Sequence, residues 1–310
     1  MLYSPLRYPG GKNKLSAFIA KVCMDNKIDE NYIEPYSGGA AVALFLLFEG
    51  HVRKITLNDK DKAIYAFWHS VLNETDRLCQ LIEEADLTLL EWRRQREIQY
   101  NKEDYSLLEL GFSTFYLNRT NRSGIILGGI MGGVNQDGDY LMDCRFNKPD
   151  LILRIKKIAS KKNRITLYNL DALDLIDKIQ SNSKIKNCIY YFDPPYYHKA
   201  DSLYLNHYKP IDHKEVSDKI KTINNHKWIV SYDNVVEIQK LYSDCPKKEF
   251  SFKHTAYEIR EGKEILFLSK NILQPEIENW NPLNFKRRKT KTSSKIIYQK
   301  PKPKNLEIAS

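Results

Sequence analysis

An acid followed by two prolines and two tyrosines, Asp193-Pro194-Pro195-Tyr196-Tyr197, closes the apolar run at residues 188–192. Proline has no backbone N–H and pushes the residue before it away from helix, so Pro194 and Pro195 end a strand abruptly and stiffen the turn. Such a turn fixes a carboxylate, the carbonyls around the prolines and the ring of Tyr196 at one locus. Hydrogen-bond acceptors beside an aromatic face suit a flat ring that bears an amine. The alternative is an ordinary proline-rich loop in which Asp193 caps the next helix.

A second constellation lies upstream. "NYIEPYSGGAAVALFLLFE" reads as a short strand around residues 32–34, a glycine turn, and a helix from about Ala40; "VRKITLND" reads as the next strand, ending at Asn58-Asp59. Strand, glycine turn, helix, strand and acid form the nucleoside-binding arrangement of a βαβ unit. The helix start offers free N–H groups and the positive end of its dipole. Asp59, about 20 residues past the turn, stands where an acid binds ribose hydroxyls. A merely solvated acid at a strand end is the alternative. Because Ala40 follows Gly38 and Gly39, the turn is not GxGxxG, which argues against a dinucleotide oxidoreductase.

Both constellations need a sheet to position them. Residues 14–24 and 62–72 have helical spacing of apolar residues, and strand and helix alternate again from "RITLYNLDAL" through "HKWIVSYDN" to "KEILFLSKN". Between residues 73 and 162 the character changes to charge-rich helices and then to the glycine-dense "GIILGGIMGGVNQDGDYLMDCRF", where Asp137-Gly138 signals a hairpin. An α/β sheet domain at 1–72 and 163–283, interrupted by a helical insertion with a hairpin, is the expected organisation.

The net charge is +10, and residues 284–310 hold nine Lys or Arg against one acid, so most of the excess is terminal. This polar, proline-punctuated segment is expected to be disordered and to attract phosphates weakly or serve only solubility. The longest apolar stretch, residues 40–48, is about half a membrane span, and the start lacks the apolar core of a signal peptide; a cytoplasmic protein is expected. Cys23, Cys79, Cys144, Cys188 and Cys245 are dispersed, as befits buried reduced thiols rather than zinc ligands or disulfides.

Taken together, "RYPGGK", "EPYSGGA", "LND", "FYLNRTNRSG", "NLDAL", "DPPYY" and "EILFLSKN" resemble, in kind and order, the DNA adenine methylase family of the Dam type, over most of residues 5–271. The resemblance implies a Rossmann-like methyltransferase sheet with an inserted DNA-recognition domain. It also implies transfer of a methyl group from S-adenosylmethionine to the exocyclic amine of adenine. By it, Tyr8 and Lys12 line the cofactor's methionine end, Glu34, Pro35, Tyr36, Ser37 and Gly38 form its floor, Asp59 holds its ribose and Asp171 meets its adenine. Asp193 and the Pro194 carbonyl would accept the amine protons, and Tyr196, with Tyr197, would stack on a base flipped out of the duplex. The chain departs from the family at Tyr36, often Phe there, and at Ala40, which replaces the last motif glycine.

The insertion is expected to read double-stranded DNA. Asn118, Arg119, Asn121, Arg122, Asn135, Gln136 and Arg145 have the side chains that match base edges in the major groove. Arg93, Arg94 and Arg96, grouped on one helix, suit phosphates. For Asn118 and Arg119 a structural role at the base of the hairpin is the alternative. No metal is called for; a monomer in the nucleoid-containing cytoplasm is expected, with a cognate restriction endonuclease as the candidate partner. The competing readings are an RNA or protein amine methyltransferase, which more often carries Asn in place of Asp193, and a non-catalytic DNA-binding module.

Overall fold

Short apolar runs rich in β-branched and aromatic residues become the strands of the sheet. In the computed structural model, which describes residues 3–7, 12–197, 208–253, 261–275, 281–289 and 294–299, seven strands form one sheet in the order β3-β2-β1-β4-β5-β7-β6. The strands are β1 (Asn31–Glu34), β2 (Lys54–Asn58), β3 (Ile165–Tyr168), β4 (Cys188–Phe192), β5 (Lys227–Asp233), β6 (Lys247–Lys253) and β7 (Glu261–Leu268). The first five run parallel, and β7 is antiparallel to both β5 and β6.

Every residue of β4 is buried, as a strand covered on both faces requires. Its alternate side chains serve two cores. Ile189 and Tyr191 join the one built on helices α1 (Ser16–Asp25), α2 (Ala41–Phe48) and α3 (Lys62–Asn73). Tyr190 and Phe192 join the one built on α8 (Ala172–Gln180), α9 (Pro210–Lys221) and α10 (Val236–Leu241). The chain leaves β1 toward β2 on one side, while β4 pairs on the other. The carboxyl ends of β1 and β4 therefore flank the point where the strand order reverses, the crevice in which open α/β sheets bind ligands. This is the Rossmann-like fold expected of the sequence.

Helix α2, "AVALFLLF", is apolar nearly all round and largely buried. Its N-cap, Ala40, has φ 48° and offers no side-chain cap. The cap comes from the sheet: the Glu34 carboxylate accepts from the Ala43 N–H at 3.1 Å. Ala40→Gly should change stability by less than about 1 kcal/mol, because relief of a left-handed alanine is offset by loss of a buried methyl. Ala40→Val, which adds β-branching and overpacking at the same place, should cost about 3 kcal/mol. Thermal melting of the two variants checks this, and equal melting temperatures would contradict the strain.

The insertion comprises α4 (Thr75–Glu84), α5 (Leu89–Tyr100), α6 (Leu107–Thr120) and α7 (Lys148–Ala159). One continuous core runs from α1 and α2 through Phe67 and Trp68 to Phe115 on α6 and Ile155 on α7, so the insertion is fused to the sheet's flank. The expected hairpin at Asp137-Gly138 does not form. Residues 121–147 make turns, a short 3-10 segment and an isolated bridge between Asn121 and Ile130. Glycine-dense sequence offers strands too little side-chain surface to pack, and Gln136 itself sits at φ 52°.

The disorder expected from residue 284 is also corrected. β8 (Phe285–Lys289) pairs antiparallel with β9 (Ser294–Tyr298). Phe285 is buried, its ring centroid 5.6 Å from that of Phe18, and Arg287 pairs with Glu49. A few apolar side chains at alternate positions hold a segment that composition alone assigns to solvent. Residues 300–310 lie outside the described residues. All five cysteines are free, and Cys144 is exposed, contrary to expectation. Among the described residues no helix is long and apolar enough to cross a membrane.

Candidate active site

The turn after β1 is held from below by β2. Ser37 N–H donates to the Asn58 carbonyl at 2.8 Å. The Asn58 amide donates to the carbonyls of Pro35, at 2.9 Å, and Leu170, at 3.0 Å, while its oxygen accepts from Leu170 N–H. Asn58 is fully buried and so ties the turn after β1 to the turn after β3. Asp59, next along, accepts from the N–H groups of Gly38, at 2.9 Å, and Asp61, at 3.0 Å. Burial first, then the neighbouring Asp61 charge, pushes Asp59 up to about 7. Glu34 goes to about 8, again through burial, although Tyr32 and the Ala43 N–H oppose the rise.

Within this cradle the Ser37 hydroxyl is buried without a hydrogen-bond partner among the described residues, and Gly38 takes φ 43°. An unpaired buried hydroxyl is costly in isolation, and a polar ligand at the turn would satisfy it. A nucleoside-bearing cofactor fits these groups. Tyr36 meets Tyr208 hydroxyl to hydroxyl at 2.9 Å. Asp171 caps α8 through Leu173 N–H at 2.9 Å and pairs with Lys60 at 2.9 Å. Burial would raise its carboxyl, but those two partners hold it below the ordinary range. Tyr8 lies outside the described residues.

Across the crevice, Asp193 leaves β4 and is fixed by two neighbours. Ser231 Oγ on β5 donates to its Oδ1 at 2.7 Å, and Lys12 Nζ lies 3.2 Å from the same atom. Oδ2 has no partner among the described residues. Tyr191 OH donates in turn to Ser231 at 3.0 Å. Asp233, the last residue of β5, accepts from Tyr197 N–H at 3.0 Å and so pins the proline turn.

Lys12 also reaches Glu264 on β7 at 3.1 Å and the Tyr196 hydroxyl at 2.6 Å, and that hydroxyl donates to Glu264. Burial alone would lower Lys12, but Asp193, Tyr196 and Glu264 hold it well above its ordinary value. Burial raises Asp193, with Glu264 adding to the rise and Lys12 opposing it. The sequence reading sent Lys12 to the cofactor's carboxylate; here its ammonium faces Asp193. Tyr196 is 6% exposed, and Lys12 Nζ, 4.8 Å from the ring centroid, sits at the ring's hydroxyl end, so little of the ring expected to stack on a base is open. Tyr197 is half-buried beside His213, ring centroids 5.1 Å apart. Asn58, Ser231 and Glu264 were not picked out from the sequence.

The expected DNA-reading residues divide in two. Asn118 is buried and bonds the N–H and C=O of Arg7 and the carbonyl of Gly124. A Cβ on Gly124 would stand 2.0 Å from the Arg7 carbonyl oxygen, so this approach requires glycine. Arg119 donates to the carbonyls of Arg145 and Pro5. Asn121 accepts from Trp92 Nε1 at 2.7 Å and donates to the carbonyls of Ile125 and Ile126. Gln136 bonds Met131, Gly133 and Met142 backbone groups.

These four side chains are therefore committed within the chain, to the loop and to the N-terminal segment. Backbone without a ladder must find other partners, and they supply them. Arg96 is likewise held, over the Trp92 ring and on the Gly128 carbonyl. Arg93, Arg94, Arg122, Asn135 and Arg145 are exposed, Arg94 pairing with Glu91. Asn121→Ala should destabilise the chain by about 2–3 kcal/mol, since it strands a buried indole N–H and two carbonyls. Urea unfolding checks this; an unchanged midpoint would contradict it.

Among the described residues no group of three or more His, Cys, Asp or Glu could hold a metal ion. The family model for D12 class N6 adenine-specific DNA methyltransferases matches residues 8–260. The Type II methyltransferase M.MjaIII of Methanocaldococcus jannaschii is 23% identical over 208 residues, covering 62% of this chain and 68% of that one. Among solved structures, an uncharacterized protein from Listeria monocytogenes serotype 4b is similar at TM-score 0.34 and 7% identity, covering 84% of this chain and 70% of that one. The rRNA methyltransferase aviRa from Streptomyces viridochromogenes is similar at TM-score 0.31 and 11% identity, covering 82% of this chain and 84% of that one.

Proposed function

This chain belongs to the D12 class N6 adenine-specific DNA methyltransferases, and on that footing we propose how its own residues carry out the transfer. The reaction moves a methyl group from S-adenosylmethionine to adenine in DNA. Bound at the turn after β1, the cofactor supplies an electrophilic methyl carbon.

Glu34, Pro35, Tyr36, Ser37 and Gly38 form its floor, the Ser37 hydroxyl, unpaired among the described residues, being the group that most needs a partner. Asp59 takes the ribose hydroxyls, and Asp171 completes the pocket. Because the carboxylate form accepts both hydroxyls, and Asp59 is pushed up to about 7, cofactor affinity should rise with pH between 6 and 8. The gain should be roughly tenfold and absent in Asp59→Asn. Calorimetric titration at three pH values checks this; parallel profiles for both proteins would contradict it.

Asp193 and the Pro194 carbonyl accept the two protons of the adenine amine. Those bonds favour pyramidal nitrogen and aim its lone pair at the methyl carbon, which is positioning and electrostatics without a covalent enzyme intermediate. The observation that carries this assignment is the Oδ2 of Asp193, which has no partner among the described residues, in a carboxylate otherwise fixed by Ser231 and Lys12. Lys12 holds Oδ1 and the Tyr196 hydroxyl, which leaves Oδ2 to the amine. A flipped adenine stacks on Tyr196, with Tyr197 at the edge.

The insertion, residues 73–162, recognises the target. The exposed Arg122, Asn135 and Arg145 face base edges, and Arg93 and Arg94 face phosphates. One crevice serves one flipped base, which supports a monomer. A DNA substrate supports a nucleoid-associated, cytoplasmic location, and the Type II name of the archaeal relative supports a companion restriction endonuclease. The test is incubation of duplex DNA with the chain and a cofactor carrying a deuterated methyl, then mass spectrometry of the nucleosides. Label in N6-methyladenine is expected; label confined to cytosine, or to RNA supplied in competition, would contradict the reading.

A further inference from the structure

The hairpin of β8 and β9 has two unlike faces. Cross-strand partners share a face, so Phe285 with Tyr298 and Arg287 with Ile296 point inward, and Lys286 with Ile297 and Arg288 with Lys295 point outward. The inward face is accounted for by Phe18 and Glu49. On the outward face Lys286, Arg288 and Lys295 are exposed, and Lys286 donates to the Leu283 carbonyl at 2.7 Å. No carboxylate among the described residues pairs with any of the three. Arg288 stands directly opposite Lys295, a like-charge pair that destabilises a two-stranded ladder. A row of cations arranged at the hairpin's own expense calls for an anion outside the chain.

The place of the hairpin narrows the choice. Its stem, Pro282–Asn284, packs on the Lys12–Leu15 turn, and Lys12 is the residue that reaches Asp193. The flanking sequence adds Lys289, Lys291, Lys300, Lys302 and Lys304 with no acid before Glu307. We infer that the outward face of this hairpin is a clamp for the phosphate backbone of duplex DNA beside the target, independent of base sequence. The inference rests on the DNA reading above and adds a contact outside the insertion.

The test is a salt titration of binding to an adenine-free G·C duplex, which contains no target base. Three neutralised phosphates account for about 2.7 in the slope of log K against log salt, so the full chain with K286Q, R288Q and K295Q should lose roughly 2–3 of that slope. Its melting temperature should equal or exceed that of the parent, since the Arg288 and Lys295 repulsion is gone. Turnover at saturating substrate DNA should be unchanged. Ile297→Lys, which adds a cation to the same face, should steepen the slope by about 1.

Unchanged slopes in both variants would overturn the inference, as would a loss seen on single-stranded RNA but not on the duplex. If the intact chain methylates no DNA, the functional reading fails, while a reduced slope in the triple variant would still uphold the clamp.

Discussion

Asp193→Ala should reduce single-turnover methyl transfer by about 10²–10³-fold, while cofactor affinity stays within about twofold of the parent. The carboxylate is the acceptor that directs the amine lone pair, and a single preorganised polar group of this kind is worth about 10²–10³ in rate. Loss of its charge also releases Lys12 from one of its two carboxylate partners, leaving it to Glu264 and the Tyr196 hydroxyl. Asp193→Asn keeps an acceptor of the same shape and should retain more activity than Asp193→Ala. Rapid-quench transfer from labelled cofactor, beside equilibrium dialysis, separates the two effects. Full activity in Asp193→Ala would remove the residue from the mechanism. Lost cofactor binding would make it part of the other pocket.

Lys12→Met should give the second-largest effect, and its signature is a pH profile. Lys12 opposes the upward push that burial exerts on Asp193, so without it the carboxyl stays protonated to higher pH. A protonated carboxyl keeps only a weaker, neutral acceptor and so aims the amine less well. The sign follows: activity is lost as pH falls through the Asp193 pKa, and removal of the cation moves that acidic limb upward. The limb should appear in kcat/KM, which reports the free enzyme, and Lys12→Arg should restore it in part. The competing assignment, in which Lys12 binds the cofactor's carboxylate, makes the opposite forecast. There Lys12→Met weakens cofactor binding and leaves the acidic limb where it was.

Much of the sheet was legible because its strands are short apolar runs and its helices keep a strict period. β1, β2, β4 and the glycine turn emerged with nearly their observed bounds. β6 did not, because "KKEFSFK" hides its alternating phenylalanines among the charges that protect an edge strand. The β8 and β9 hairpin was masked in the same way by its lysines and arginines.

In the site, Asp193 and Asp59 were legible because turn chemistry marks strand ends. Ser231 and Glu264 were not: Ser231 is a small polar residue inside an apolar strand, Glu264 sits among the other charges that open β7, and it meets Lys12 from 252 positions away. The insertion misled most. Asn118, Asn121 and Gln136 have the side chains of base readers, yet a glycine-dense loop without a ladder has unpaired backbone groups that recruit such amides first. That demand is visible in the sequence once the hairpin is given up.

The central claim, that this chain places methyl groups on adenine N6 in DNA through Asp193, is tested most directly by single-molecule sequencing. The host genome would express either the intact chain or Asp193→Ala, with modified bases scored by sequence context. N6-methyladenine in one short motif, present with the intact chain and absent with the variant, is the predicted result. Equal adenine modification with both chains, or none with either while labelled cofactor still binds, would contradict it.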